Sequence, residues 1–427
     1  MTKPLQPELS TRFAGCGGIR NRVFCLVFLC VWALLLAADW GLRFQHYRWQ
    51  DAWWIRTGGG GNAAAAAGGK PAETVQAARR GGDLSDFFPF RFLAAPYEEF
   101  HPRAVFPCDE NGFPNEWPSA ARHYGAMFAG DSFMVSSGTQ NIAQVFAETS
   151  GLETCNFGRR ASGPLQQIGW FIQTRPLREL PPLAFWGLTA RDLGGGLFSR
   201  QPLDAWFAGA REAATAGTPT LSRGWRIRRE ALRPREVDRA WPNTSALAHF
   251  ARHAWGAVRM VAFRKWPAEI AAAEHPAFGP MLFYGENLRV LPELTPEKDA
   301  AGILRTVGRI SDWFEQHGTA LVVLLIPEKE QIHEDLLPPE QRRGIENGAD
   351  ALVSALAEGL AAQGVHTVNL LPAFRQAAAE GTCLYWRDDT HWNDAGIRLA
   401  AREAWKYVVE HRLADGGSDR GAGNGAE

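Results

Sequence analysis

Four short apolar runs along the chain each end abruptly in Gly, Pro or a charged residue. Gly125 to Ala129 runs into Gly130-Asp131-Ser132, and Leu183 to Leu188 into Thr189-Ala190-Arg191-Asp192. Ala320 to Ile326 stops at Pro327-Glu328-Lys329, and Val365 to Leu370 at Leu371-Pro372. Short, nearly unbroken apolarity is the mark of strands buried on both faces. Stretches of helical character alternate with them at about 139–149, 297–317 and 349–363. The second opens Thr295-Pro296-Glu297-Lys298-Asp299, with Thr295 as N-cap and Pro296 in the first turn. Strand–helix alternation predicts an α/β fold with a doubly wound parallel sheet. Ligands bind such sheets beyond the carboxyl ends of the strands, where the polar punctuation falls.

A different apolar run lies near the N-terminus. Val23 to Ala38 carries no charge, follows Lys3, Arg12, Arg20 and Arg22, and is stopped by Asp39 with Trp40 behind it. A span needs about 17–25 residues, which an extension to Leu42 supplies. Residues 23–42 therefore read as a single transmembrane signal anchor. The basic end, 1–22, stays in the cytoplasm and the rest faces outside. A cleaved leader is the alternative, but Leu35 and Leu36 stand where a small residue should precede a cut after Ala37 or Ala38.

Residues 43–85 read as a juxtamembrane segment and flexible linker, because Thr57 to Asp83 is dominated by Gly and Ala. A globular catalytic domain is expected over 86–414, with a helical insertion at about 195–285 and a disordered tail at 415–427. Within the insertion, Gln201 to Trp266 holds 12 Lys+Arg against 5 Asp+Glu, a net of +7. Leu247, Phe250, Ala254, Val258 and Val261 recur there at helical spacing. That basic amphipathic helix suits anionic lipid headgroups, an acidic polysaccharide, or a solvated face packed on the core. His249 and His253 are four apart, but HFARH lacks the Glu of a zinc-protease helix and reads as structural.

Composition narrows the classes. The chain has 427 residues with 45 Lys+Arg against 46 Asp+Glu, which excludes a globally basic nucleic-acid binder. No nucleic-acid partner is expected. Six Cys without a CxxC pair exclude a zinc ribbon, and neither metal nor cofactor is expected. Cys108, Cys155 and Cys383 fall outside the membrane segment, so one disulfide and one thiol are compatible with the count. No Walker loop or GxGxxG is present.

Gly130-Asp131-Ser132-Phe133 follows a strand and precedes a helix, so the Ser132 amide lies at a helix N-terminus, where a developing oxyanion is favoured. A neutral Ser needs a base. Arg387-Asp388-Asp389-Thr390-His391-Trp392-Asn393 offers one His, with a carboxylate two or three residues before it. Either Asp389 or Asp388 suits the task of holding the imidazole. Asn156-Phe157-Gly158 adds a glycine whose backbone can approach an oxyanion. Trp170, Trp186, Trp386 and Trp392 are either sugar-stacking platforms or core.

GDSF at 130–133, NFG at 156–158 and DTHWN at 389–393 resemble the motifs of the SGNH (GDSL-type) hydrolase superfamily, in its alginate O-acetyltransferase-like branch. The resemblance implies a flavodoxin-like three-layer α/β/α fold. It also implies Ser132 as nucleophile, His391 as base and Asp389 as its orienter, with the Ser132 and Gly158 amides as oxyanion donors. Asn156, Arg191 and Trp392 are further candidates for oxyanion or substrate contact. The superfamily's GxND block is absent; Gly187 to Asp192 stands in its place, with Arg191 in the substituting role or in an ion pair with Asp192. In the alginate enzymes the Asp-His motif precedes the Ser motif, whereas here the Ser comes first. By resemblance the chain is an O-acetyltransferase acting on an exported polysaccharide acceptor through an acyl-serine, with a membrane-bound O-acyltransferase partner supplying acetyl. An acetylesterase with water as acceptor is the runner-up, followed by a non-catalytic glycan-binding subunit.

Overall fold

The computed structural model describes residues 26–38, 72–76, 79–89, 91–102, 104–109, 113–115, 123–136, 138–160, 162–174, 180–194 and 246–414. The chain divides into two compact units, one of 1–52 with 235–256 and one of 53–234 with 257–427. In the first, residues 26–38 form a helix whose apolar side chains, Leu26, Phe28 and Leu34 among them, are exposed. No helix among the described residues is long and apolar enough to cross a membrane. The flanks of the expected anchor, 23–25 and 39–42, lie outside the described residues, as do the tail 415–427 and the first part of the insertion.

The second unit is built on a parallel sheet. In chain order its elements are β1 (Ala72–Gln76), β2 (Arg79–Arg80), β3 (Phe100–His101), β4 (Ala104–Cys108), β5 (Ala126–Ala129), β6 (Thr154–Asn156), β7 (Leu183–Thr189), β8 (Ile270–His275), β9 (Gly279–Tyr284), β10 (Ala320–Ile326) and β11 (His366–Asn369). The five-stranded sheet runs β11-β10-β7-β5-β6 with every pair parallel. The four apolar runs supply four of its strands, with edges within two residues of those read from the sequence. β7 and β10, at the centre, are buried along nearly their whole length.

Helices cover both faces. They are α1 (Ser132–Val135), α2 (Ile142–Ser150), α3 (Pro164–Thr174), α5 (Ala301–Gln316), α6 (Ala351–Ala362), α7 (Leu371–Ala379) and α8 (Asp394–Glu410); α4 (Ala246–Phe263) straddles the boundary between the two units. Alternate residues of each strand feed two separate cores. Met127, Trp186 and Val323 pack with Leu165 of α3, Ile310 of α5 and Leu356 of α6. Ala126, Phe185 and Val322 pack with Phe146 of α2, Phe374 of α7 and Ala404 of α8. This is a three-layer α/β/α arrangement. Thr295 is an N-cap as its sequence predicts, accepting from the Lys298 N–H at the start of the turn Pro296–Ala300 that leads into α5.

Three expectations need correction. The end of the supposed linker is structured: β1 pairs with β4 and β2 with β3, both antiparallel. A Gly/Ala-rich composition does not report the strand partners that follow later in the chain. The insertion is not helical throughout. After α4, which exposes Trp255, Val258, Val261 and Phe263, the chain forms the β8–β9 hairpin, whose inner residues Met281, Leu282 and Phe283 are buried. Cys155 and Cys383 form no disulfide, so the pairing allowed by the cysteine count is not formed through either.

Phe185 stacks on Phe128 at 4.6 Å between ring centroids and is wholly buried. Phe185→Ala is expected to cost about 3–5 kcal/mol, read as a lower unfolding midpoint with an unchanged denaturant slope.

Candidate active site

Ser132 opens α1 directly after β5. Asp131 is the N-cap, and its carboxylate accepts from the Phe133 N–H at 2.8 Å. Among the described residues the Ser132 N–H has no partner, so it remains available at the positive end of this turn. Met134 anchors the turn in a socket of three glycines. A Cβ at Gly130, Gly158 or Gly187 would stand 2.4, 2.6 or 2.1 Å from a Met134 side-chain atom. Gly130 follows β5, Gly158 follows β6 and Gly187 lies within β7, so the ends of three strands hold the serine turn in place.

The histidine comes from a loop between α7 and α8 rather than from a strand end. An isolated antiparallel bridge between Tyr385 and Trp392 closes this loop. His391 Nε2 lies 2.8 Å from Ser132 Oγ, across 259 positions of sequence. His391 Nδ1 lies 2.6 Å from Asp389 Oδ1, and the His391 backbone N–H donates to the same oxygen at 3.1 Å. A carboxylate only accepts, so Nδ1 carries the proton and Nε2 is left to accept from the serine hydroxyl. Burial opposes a charged imidazole at position 391. The Asp389 charge and hydrogen bond, with Asp83 behind them, outweigh it and raise the His391 pKa above 6.5.

The geometry separates the two rival carboxylates. Asp388 is fully buried and points away, accepting from the Gly82 N–H at 3.0 Å, the Glu99 N–H at 2.7 Å and Ser85 Oγ at 3.4 Å, with His101 Nε2 at 2.8 Å. It fastens the segment 82–101 to the loop. Asp389 is the carboxylate against His391.

Three other candidates are placed differently from the sequence reading. The Gly158 N–H is already given to Asn156 Oδ1 at 2.7 Å, so it is not a free oxyanion donor. Asn156 is buried and donates Nδ2 to the Met134 carbonyl at 2.7 Å; it ties the glycine loop to α1 rather than facing a substrate. Trp392 is buried completely, and its indole N–H donates to the Phe133 carbonyl at 3.2 Å. It is core, not a sugar platform, and it braces the residue after His391 against the residue after Ser132. Trp186 is likewise buried, donating to Gln167 Oε1.

Arg191 follows β7, as expected. Burial would depress its charge, but Glu328, Asp131 and Asp192 surround it and keep it protonated. Burial raises the Glu328 pKa, an effect that Arg191 opposes. Lys329 is also buried and donates Nζ to the carbonyls of Leu282, Trp386 and Arg387 at 2.7, 2.8 and 3.2 Å, which seats the histidine loop on β9. Burial lowers its pKa.

The sequence reading missed Asp83, which it assigned to the linker. Its carboxylate accepts from the Thr390 N–H and Oγ1–H at 2.7 and 2.6 Å, and its Oδ2 lies 3.7 Å from His391 Nδ1. Asp83, Asp389 and His391 are also a group compact enough for a metal ion. With Nδ1 and both carboxylates already engaged in hydrogen bonds, the cluster is satisfied as a proton network.

The parallel sheet between two helical layers fits an SGNH-like fold. The sequence comparisons agree. Residues 282–420 match the family model of the SGNH hydrolase-like domain of the acetyltransferase AlgX. Over 113 residues, 26% of this chain and 28% of the relative, the chain is 26% identical to the probable alginate O-acetylase AlgJ of Pseudomonas putida. The match thus spans about a quarter of that relative's length. The resemblance to the alginate O-acetyltransferase-like branch holds. The 282–420 match includes Asp389 and His391, while Ser132 and Asp83 lie outside it.

Asp388→Ala would leave the Gly82 and Glu99 amides and His101 without their acceptor. Orphaned buried donors cost about 1–3 kcal/mol each, so a loss of several kcal/mol is expected in thermal unfolding. Asp389→Ala orphans the His391 ring and amide N–H groups and the Asp83 N–H in the same way, so it should also unfold earlier; what separates the two variants is the His391 titration midpoint, which Asp389→Ala should lower and Asp388→Ala should leave in place. A midpoint lowered only by Asp388→Ala would hand the orienting role to Asp388.

Proposed function

We propose that the chain is an O-acetyltransferase of an exported polysaccharide, working through an acyl-serine on Ser132. The observation that carries this reading is the continuous hydrogen-bonded line from Ser132 Oγ through His391 to Asp389, at 2.8 and 2.6 Å. The AlgX-type domain match supports acetyl transfer over other acyl chemistry.

In the first half-reaction His391 Nε2 takes the Oγ proton as Oγ attacks the acetyl carbonyl. Asp389 stabilises the imidazolium and keeps the ring oriented. The Ser132 N–H stands at the first turn of α1 to meet the oxyanion. Collapse of the tetrahedral intermediate returns the proton to the leaving group and leaves acetyl-Ser132. In the second half a sugar hydroxyl attacks, His391 takes its proton, and Ser132 Oγ is released and reprotonated. The donor is assigned to a membrane-bound O-acyltransferase partner. Segment 23–42 is assigned as the anchor that keeps the catalytic unit on the periplasmic face.

Acetyl content of the exported polysaccharide in a Ser132→Ala strain is expected to fall to background at normal protein abundance; unchanged acetylation would remove the reading. If the purified full chain hydrolyses acetylated glycan and transfers nothing, water is the acceptor and the protein is an esterase with the same serine chemistry.

His391 must be neutral to accept a proton, and its pKa is raised in the folded chain. The rate is therefore lost as pH falls through that raised value. The midpoint of the acid limb of kcat/KM is expected above 6.5, the ordinary His value. A midpoint below it would contradict the Asp389–His391 coupling.

A further inference from the structure

We propose that Asp83 is a positioning residue of this site, a second carboxylate that holds the Thr390–His391 turn and shares the charge of the imidazolium with Asp389. This rests on His391 being the general base. Asp83 reaches the site from 307 positions before Thr390, out of a segment with linker composition. Its two oxygens take both donors of Thr390, and its own N–H donates to Asp389 Oδ2 at 3.0 Å. Asp389 therefore spends Oδ1 on His391 and Oδ2 on the Asp83 backbone, while the Asp83 side chain closes the ring through Thr390. Gly82 makes this approach possible. A Cβ there would stand 2.4 Å from the Asp388 carbonyl oxygen and 2.5 Å from Asp389 Cβ. The backbone is laid directly on the motif, a contact that a passing linker would not need.

The chemistry follows from the 3.7 Å between Asp83 Oδ2 and His391 Nδ1. When Ser132 Oγ gives its proton to Nε2, the imidazolium forms between two carboxylates rather than beside one. Burial and then the neighbouring Asp389 charge push the Asp83 pKa up to about 6, against the pull of His391 and Thr390. The charges of Asp83 and His391 therefore depend on one another. Other groups facing them are Tyr284 and Lys329, which sense the Asp83 charge, and Arg160, which opposes a proton on His391.

The test is an NMR titration of the full chain in detergent micelles with 13Cε1-labelled histidine. The His391 signal is assigned by its loss in His391→Gln. Asp83→Asn is expected to lower the His391 midpoint by about 0.5–1 pH unit, because one anionic neighbour is gone. Asp83→Glu, which keeps the charge, should restore most of it. In p-nitrophenyl acetate hydrolysis Asp83→Asn should lower kcat about tenfold with KM unchanged, the acid limb moving down with the NMR midpoint. An unshifted midpoint in Asp83→Asn overturns the proposal. Should that variant lose the wild-type near-ultraviolet circular dichroism, Thr390→Val is read in its place. It removes one donor from Asp83 and should move the midpoint the same way by less; no movement again overturns the proposal. The titration needs no turnover, so hydrolysis that survives Ser132→Ala would sink the acyl-serine reading and still leave Asp83 to be decided by NMR.

Discussion

A buried loop that carries adjacent carboxylates must find partners for all of them, and most of the site follows from how this chain meets that demand. Asp388 and Asp389 sit side by side with almost no exposure. Two neighbouring anions in a low-dielectric interior are tolerated only when each is surrounded by donors. Asp388 turns to the backbone amides and His101 of the N-terminal segment, while Asp389 turns to His391 and the Asp83 amide. The alternation of the two side chains assigns one carboxylate to holding the fold and the other to holding the imidazole.

The serine side is fixed by packing instead of charge. A four-residue helical turn has little stability of its own. Here Met134 fills the space above three glycines, Asn156 holds the carbonyl of Met134, and Trp392 donates to the carbonyl of Phe133. The last contact joins the two halves. Phe133 and Trp392 meet edge to face at 5.3 Å, one residue away from the Ser132–His391 hydrogen bond. The same tryptophan that looked like a sugar platform is what sets the distance between base and hydroxyl.

Around this pair the carboxyl edge of the sheet is unusually ionic for a buried region. Arg191 is held among Glu328, Asp131 and Asp192, and Lys329 caps three carbonyls under the histidine loop. These groups are compensated where they lie, so they stiffen the floor of the site. Their fixed positions keep the loop between α7 and α8 seated on β9, where the histidine can face α1.

Four of the sheet's strands and their parallel arrangement were legible in the sequence, because apolar runs such as Ala320–Ile326 must hide both faces; the order in which the strands lie was not, and the three layers were implied by resemblance. The serine turn was legible too, since Gly-Asp-Ser after a strand and before a helix has a local physical meaning. Ser132, His391 and Asp389 could be named from motif and resemblance, but their meeting depends on a fold that closes 259 positions. Residues whose roles depend on distant partners were misread. Asp83 looked like linker and Trp392 like a binding surface; Gly158 looked like a free amide although its acceptor, the Asn156 side chain, stands only two residues away. Local sequence determines secondary structure and the kind of chemistry a side chain carries. Which hydrogen bonds are already spent, and which carboxylate faces the imidazole, is decided only when distant segments are packed together, because a buried polar group takes the nearest partner in space, not in sequence.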